Sequence, residues 1–370
     1  MFFGSKAWAS KKTQVCGVSA VHVSEFSLRG FCFYPSAGTG PALQWFPNGI
    51  AHALHGKLRF AFPESERSGW MHAFCVLVVF FAKLIPAFLL PSVPHTVLDP
   101  PGGVPNEPLP LVIWSHGRGG NVSDHALLCS QFAVEVPALV CAITHTDGSA
   151  DCFQSEVVGK HYYYQPSLAS RREHEAGISE LVAMKEYQVD LRVREIEAVI
   201  AHLKFRGIKF GKIIVAGFDL GGATALALAA KTPELVAACI SLDGTFCIED
   251  KLPFPKALFA KPLQVPVAFL LSDEWDVWNK PVTNNTRVLM EAVASEESKL
   301  ITVKQTNHFN FVEVMFWVPK LLVSTLRFTG LIHRRGDPRK TYRRTAKWLI
   351  ALVQQYSGET KLPASSDSEL

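Results

Sequence analysis

The stretch Lys212-Ile213-Ile214-Val215-Ala216-Gly217-Phe218-Asp219-Leu220-Gly221-Gly222 decides the fold. Its β-branched run predicts a short buried strand, and the Ala/Leu-rich run that follows to Lys231 predicts a helix. The three glycines remove side chains that would collide where the strand meets the helix. This spacing forms a G-x-Nuc-x-G elbow, which lifts one side chain to the top of an α/β sheet. Here that side chain is Asp219, where most such elbows carry serine.

The composition is that of a packed globular chain. Of the 370 residues, 48% are hydrophobic and 19% are charged, a balance that excludes a disordered protein. A net charge of +4 is too small to indicate a nucleic-acid partner. The eight cysteines lack C-x-x-C spacing, which argues against a structural zinc site and a small disulfide framework. We expect Cys141 and Cys239 to be buried free thiols.

Strands and helices alternate along most of the chain, which predicts a mostly parallel sheet covered by helices on both faces. The fold class is therefore α/β, and the elbow indicates the α/β-hydrolase type. Two antiparallel strands over residues 13–34 are expected at the sheet edge, and Ser123 is expected to cap a helix that runs to about residue 136. We predict a single domain over residues 1–356 and a disordered tail over residues 357–370. The other predicted elements are strands at 108–115, 138–145, 236–242, 265–271 and 300–303, a long helix over 168–203 and a last helix over 340–356.

Residues 73–90 form the most apolar run, and its length approaches that of a membrane span. Because Lys83 lies inside the run and Pro86 would break a straight helix, we expect a buried or surface-lying helix, with a true span as the alternative. The last helix is basic near its start, which predicts either a solvated face or attraction to anionic lipid. We see no cleavable signal peptide, so a cytoplasmic or peripheral membrane location is favoured.

Three residues at predicted strand ends follow the chain order nucleophile, acid, base of the α/β-hydrolases. They are Asp219, Asp243 and His308. His308 is the predicted general base, and Asp243 is the predicted carboxylate that holds its ring in the right tautomer. Asp273 and Asp276, which follow the next strand, are rival candidates for the acid.

The oxyanion hole is predicted from two backbone N–H groups. One belongs to Leu220, directly after the elbow. The other belongs to Arg118, after the turn at His116-Gly117.

Six stretches of the chain together carry a family resemblance. They are Tyr34-Pro35-Ser36, Trp45-Phe46-Pro47-Asn48, Pro110-Leu111-Val112-Ile113-Trp114-Ser115-His116-Gly117, His145-Thr146-Asp147-Gly148-Ser149-Ala150, Ser241-Leu242-Asp243-Gly244 and Asn307-His308-Phe309-Asn310-Phe311. They resemble the platelet-activating-factor acetylhydrolase family, lipid esterases of the α/β-hydrolase fold. The resemblance implies hydrolysis of short or oxidised sn-2 acyl chains from phospholipids at a lipid surface, with no metal or cofactor. It favours Asp243 over Asp273 as the acid, and residues 73–90 fall near the family's interfacial helices.

The elbow departs from the family's pattern, G-H-S-F-G-G. Phe218 and Asp219 stand where the family has His and Ser, and Arg118 and Thr245 stand where it usually has apolar or aromatic residues. A carboxylate that attacks an ester carbonyl is mostly expelled again, because the forward product is an unfavourable mixed anhydride.

Three functions are therefore open for this site. The first is the family's phospholipid ester hydrolysis, with Asp219 and His308 together activating water. The second is a lipid-binding relative that has lost turnover. The third is attack of Asp219 on a saturated carbon through an alkyl ester, as in haloalkane dehalogenases and epoxide hydrolases.

Overall fold

A nine-stranded sheet runs through the centre of the protein and carries the elbow strand in its middle. The computed structural model describes residues 15–36, 38, 40–46, 49–61, 68–85, 92–94, 96–98, 104, 108–155, 159–162, 175–248, 252–273, 280–313 and 337–358. The strands are β1 (Val15–Val23), β2 (Leu28–Ser36), β3 (Thr96–Leu98), β4 (Leu109–Ser115), β5 (Leu139–Thr144), β6 (Cys152–Ser155), β7 (Gly159–Tyr162), β8 (Phe210–Phe218), β9 (Val236–Leu242), β10 (Cys247–Ile248), β11 (Leu252–Pro253), β12 (Val267–Ser272) and β13 (Lys299–Val303). The helices are α1 (Ile50–Ala61), α2 (Gly69–Lys83), α3 (Ala126–Glu135), α4 (Glu175–Phe205), α5 (Leu220–Lys231), α6 (Lys280–Glu291) and α7 (Pro338–Ser357).

The strand order across the sheet is β13-β12-β9-β8-β4-β5-β2-β1-β3. The strands from β13 to β5 pair in parallel, and β2 joins β5 in antiparallel orientation. The prediction of two antiparallel strands near the N-terminus is confirmed by the pairing of β1 with β2. A mixed sheet with a parallel centre confirms the predicted α/β class.

Both faces of the sheet are covered, as the alternation of strands and helices along the chain predicted. Along β4, Val112 and Trp114 belong to one core, which also contains residues of α3 and α7. Leu111 and Ile113 point the other way, into a core with residues of α4 and α5. The alternation follows from the two-residue period of a strand.

Three local predictions need correction. The helix-capping residue is Asn121 and not Ser123, because the Asn121 side chain accepts from the Ser123 N–H at 2.6 Å; a 3₁₀ turn (Val122–His125) then leads into α3. The β6–β7 hairpin lies after Asp151, in a stretch for which no regular element was predicted. Cys141 is not a free thiol. It forms a disulfide with Cys32, its direct neighbour on β2, whereas Cys239 is free as predicted.

The apolar run at 73–90 is helical up to Lys83, and residues 86–90 lie outside the described residues. In the part of the chain that the structure describes, no helix has the length and apolar character needed to cross a bilayer. The last helix begins at Pro338 and extends to Ser357, one residue into the predicted tail, whose residues 359–370 lie outside the described ranges. The single domain over 1–356 stays a prediction.

Candidate active site

The turn between β8 and α5 holds Asp219 in a strained backbone conformation. Its φ is +52°, in the left-handed region that non-glycine residues seldom adopt. Gly221 is required here, because a Cβ at this position would lie 2.0 Å from the Ser115 carbonyl oxygen. The turn is the predicted elbow, and it presents the Asp219 side chain at the carboxyl end of the sheet.

The Asp219 carboxylate is held by Arg118 and Thr245. Its Oδ2 accepts from the Arg118 backbone N–H and from Arg118 Nε, both at 2.9 Å. Its Oδ1 accepts from Arg118 Nη2 at 3.1 Å and from the Thr245 hydroxyl. The guanidinium thus grips the carboxylate through two nitrogens, the geometry of strong Arg–carboxylate pairs. The predicted oxyanion donor of Arg118 is engaged by Asp219 itself.

The electrostatic surroundings keep Asp219 ionised. Burial alone raises the pKa of a carboxyl group, and the Asp219 side chain is almost fully buried. The Arg118 guanidinium and, after it, His308 more than offset that effect, so the pKa of Asp219 lies below its usual range. Asp219 is therefore a paired anion at neutral pH.

His308 and Asp243 are brought together at the same edge of the sheet. His308 Nδ1 lies 3.3 Å from Asp243 Oδ2. Asp243 is fully buried and accepts from the Ser272 N–H at 2.6 Å and from the Ser272 hydroxyl at 2.7 Å. The end of β12 therefore fixes the carboxylate, which in turn can orient the imidazole.

The His308 ring also stacks on Phe218, with centroids 4.4 Å apart and planes at 29°. His308 begins a 3₁₀ turn (His308–Phe311) whose start is capped by reciprocal bonds between Asn307 and Asn310. Phe218, which precedes Asp219 in the elbow, thus packs against the ring of the predicted base.

The two rival candidates for the acid, Asp273 and Asp276, are not the carboxylates that the structure shows beside His308. Asp273 accepts from the N–H groups of Gln305 at 2.8 Å and Thr306 at 2.9 Å, so it stabilises the turn that precedes His308. Asp276 lies outside the described residues. Leu220, the second predicted oxyanion donor, is buried and is the first residue of α5.

The sequence prediction missed what the side chains of Arg118 and Thr245 do. Both had been noted as departures from the family's pattern, yet only the backbone of Arg118 was assigned a role. The available signal was that a cation, a hydroxyl and a carboxylate, at Arg118, Thr245 and Asp219, all stand at positions where the resemblance predicts other residue types. Within the described ranges, no group of His, Cys, Asp and Glu side chains is arranged to hold a metal ion.

Comparison with known proteins identifies the architecture. Residues 200–367 match the family described as platelet-activating factor acetylhydrolase, isoform II, and this range contains Asp219, Asp243 and His308. The family resemblance seen in the sequence is confirmed there. A ferulic acid esterase from Streptomyces cinnamoneus aligns over 97% of this chain and 96% of its own, with a TM-score of 0.62 at 18% identity. This chain has the α/β-hydrolase fold.

Two further solved structures match parts of this chain. A putative dienelactone hydrolase from Klebsiella pneumoniae subsp. pneumoniae MGH 78578 has 20% identity, covering 56% of this chain and 78% of its own, with a TM-score of 0.38. A monoacylglycerol lipase from Paleococcus ferrophilus has 13% identity, covering 65% of this chain and 93% of its own, with a TM-score of 0.39. No curated protein matches the chain.

Proposed function

We propose that this α/β-hydrolase is a slow phospholipid carboxylic-ester hydrolase that removes short sn-2 acyl groups, and that His308 and Asp243 activate water directly. The observation that carries the proposal is the His308–Asp243 pair, with Nδ1 and Oδ2 3.3 Å apart and the carboxylate fixed by Ser272. The match to the acetylhydrolase family over residues 200–367 supports the substrate class.

In this reaction, water is the nucleophile. Because His308 Nδ1 faces Asp243, Nε2 accepts the proton from water as the new oxygen–carbon bond forms. The same proton then passes to the departing lysolipid oxygen when the ester bond breaks. The products are a lysophospholipid and a short carboxylic acid.

The direct role of Asp219 in this scheme is electrostatic. Both of its oxygens are held by Arg118 and Thr245, and a carboxylate is in any case a poor nucleophile toward an ester. Loss of the nucleophile from a serine hydrolase costs on the order of 10⁶ in kcat. Occupation of one oxyanion donor costs about another 10² to 10³. Turnover is therefore expected to be far below that of a serine enzyme.

An exposed apolar surface supports action at a membrane. On α2, Trp70, Phe74, Leu77 and Phe81 lie one or two turns apart along one stripe, and each is at least half exposed. A continuous exposed apolar stripe of this kind suits insertion into the headgroup region of a bilayer. We propose that α2 is the surface by which the protein contacts lipid.

A second candidate function is lipid-ester binding without turnover. It is favoured by one observation, the hydrogen bond from the Arg118 N–H to Asp219, which fills the position that a substrate oxyanion needs.

The Asp219→Ser variant decides between the two candidates. We expect it to hydrolyse a short-chain nitrophenyl ester and a short-acyl phospholipid at least about 10³ times faster than the native chain, because it gains a nucleophile and frees the Arg118 donor. The native rate is expected to be slow and to disappear in His308→Ala. If the serine variant remains as slow as the native chain while both bind lipid vesicles, the hydrolase proposal is wrong and lipid binding stands.

A further inference from the structure

A second Ser–His–carboxylate array lies beneath the loop that carries Arg118. Ser115 Oγ is 2.8 Å from His145 Nε2, and His145 Nδ1 is 2.6 Å from Glu195 Oε2. The order of the three side chains is that of a hydrolase triad. All three residues are completely buried, so a substrate has no route to Ser115 in this structure.

The protonation of the array also differs from that of a triad. Burial and, after it, the Asp147 carboxylate raise the pKa of Glu195 to about 8. Burial and the Arg192 guanidinium hold the pKa of His145 well below its usual range. These two shifts favour a neutral Glu195 carboxyl and a neutral His145 imidazole over the ion pair. A neutral carboxyl lacks the charge that stabilises the imidazolium in a working triad.

The array is tied to the Arg118 loop at several points. Arg192 on α4 donates from Nη1 to the His116 carbonyl at 2.7 Å. The backbone N–H of His145 donates to His116 Nε2 at 3.1 Å. On the far side of Arg118, the Gly119 N–H donates to the Ser149 carbonyl at 2.7 Å, and the Ser149 hydroxyl accepts from Arg192 Nη2.

We propose that α4 positions the Arg118 N–H donor through this buried array, with Glu195 and Arg192 as positioning residues for the oxyanion loop. Ser115 immediately precedes the loop and is held by His145, which Glu195 holds in turn. Glu195 also accepts from the Thr146 N–H at 2.9 Å, so it joins the ends of β4 and β5. The consequence of this positioning for catalysis rests on the proposed ester hydrolysis; the structural role does not.

Hydrogen exchange measured by mass spectrometry tests the structural role in the full chain. Glu195→Leu removes every polar contact of the side chain, and we expect exchange of residues 116–120 to rise at least about tenfold. Glu195→Gln keeps a donor toward His145 and an acceptor toward Thr146, so it is expected to exchange like the native chain. The peptide of β12, residues 267–272, reports global opening and should not change.

Two further variants keep the test decisive. Ser115→Ala removes only the hydroxyl, so it is expected to raise exchange of the loop by a smaller factor than Glu195→Leu. It replaces Glu195→Leu in the test if that variant fails to fold. Glu197→Leu, the same change two residues along α4, removes only a partly exposed ion pair with Lys231 and should leave exchange at 116–120 unchanged. Equal loop exchange in Glu195→Gln and Glu195→Leu would overturn the proposal, as would a parallel rise in the β12 peptide.

The catalytic consequence is measured in the Asp219→Ser background. There Glu195→Leu is expected to lower kcat about 10² to 10³-fold with little change in KM, as loss of one oxyanion donor does. If Asp219→Ser is itself inactive, the proposed hydrolysis fails while the exchange data still decide the role of Glu195. Labelling of Ser115 in the native chain by a fluorophosphonate would show a reactive serine and overturn the positioning role.

Discussion

Asp219 and Arg118 form an ion pair at the mouth of the site, with the carboxylate buried and the arginine side chain 27% exposed. A surface pair contributes little to stability, whereas removing one partner of a buried pair leaves a charge without compensation. The Thr245 hydroxyl and the Arg118 N–H complete the shell around the carboxylate. The side chain at the elbow is thus a charge-paired and hydrogen-bonded carboxylate.

Arg118→Met is expected to destabilise the fold by about 2 kcal/mol at neutral pH, because it leaves the Asp219 carboxylate without its guanidinium. The pH dependence follows from the lowered pKa of Asp219. A lowered folded-state pKa gives stability that is present above the unfolded value, 3.8, and is lost as pH falls through the folded value. The difference between the native chain and the variant should therefore be constant above about pH 5 and shrink below about pH 4.

Urea unfolding midpoints at pH 7, 5, 4 and 3 measure this difference. Arg206→Met, a change at an exposed arginine after α4, is the control and should stay within about 0.5 kcal/mol of the native chain at each pH. A native-to-variant difference that does not change with pH would contradict the assignment of the ion pair.

How much of the site could be predicted from the sequence depends on the kind of interaction. The elbow glycines and the strand ends predicted where Asp219, Asp243 and His308 lie, because local backbone chemistry decides those positions. The grip of Arg118 on Asp219 was not predictable, since it joins residues 101 positions apart and depends on a rotamer. The helix cap was missed for a simpler reason: Asn121 and Ser123 are both good capping residues, and only the turn geometry selects between them.

At the scale of elements, the turn that carries His308 is anchored by Glu313. This fully buried carboxylate accepts from the N–H groups of Leu127 and Leu128 at 2.9 Å each, from Trp45 Nε1 at 3.0 Å and from the Tyr342 hydroxyl at 2.6 Å. It thereby caps α3 and joins α3 to α7 and to the N-terminal segment. The predicted base is held in place by three parts of the chain.

Glu313→Gln is expected to cost about 1 to 3 kcal/mol, because an amide presents a single acceptor oxygen and leaves at least one buried N–H of α3 unpaired. Thermal unfolding measures the loss, and the imidazole signals of His308 in NMR should shift with it. Glu135→Gln, at the exposed end of α3, is the control. Unchanged His308 signals in the Gln variant would show that Glu313 does not position the His308 imidazole.

Elements with long regular patterns were predicted well. The strand at 236–242 was predicted with the bounds of β9, and the long helix α4 was found from its apolar period. Short paired elements were missed. The β6–β7 hairpin is stabilised by pairing between its two strands, and the partner of Cys141 is set by the register of β2 against β5. Neither property has a signal within one segment of sequence.

At the scale of the whole molecule, the apolar stripe on α2 predicts binding to lipid vesicles. The double variant Phe74→Ser/Phe81→Ser removes two rings that are about half exposed. Burial of one such ring at an interface contributes roughly 1.5 kcal/mol or more, so we expect vesicle partitioning to fall at least about tenfold. Sedimentation with phosphatidylcholine vesicles measures it.

The matched control is Phe205→Ser at the end of α4, where the ring is 88% exposed and lies on another helix. This variant should bind vesicles like the native chain. An equal loss of binding in the control and in the double variant would show that general surface apolarity, and not the α2 stripe, drives association.

The disulfide between Cys32 and Cys141 determines whether the fragments separate after proteolysis of the chain between these two residues. It bridges the antiparallel strand β2 to the parallel strand β5 across 109 positions of chain, and α1 and α2 lie within that span. A protease that nicks the backbone after Arg59 or Lys83 therefore yields two fragments that remain tethered. On a gel they migrate as one band until a reductant is added, and then they separate into two.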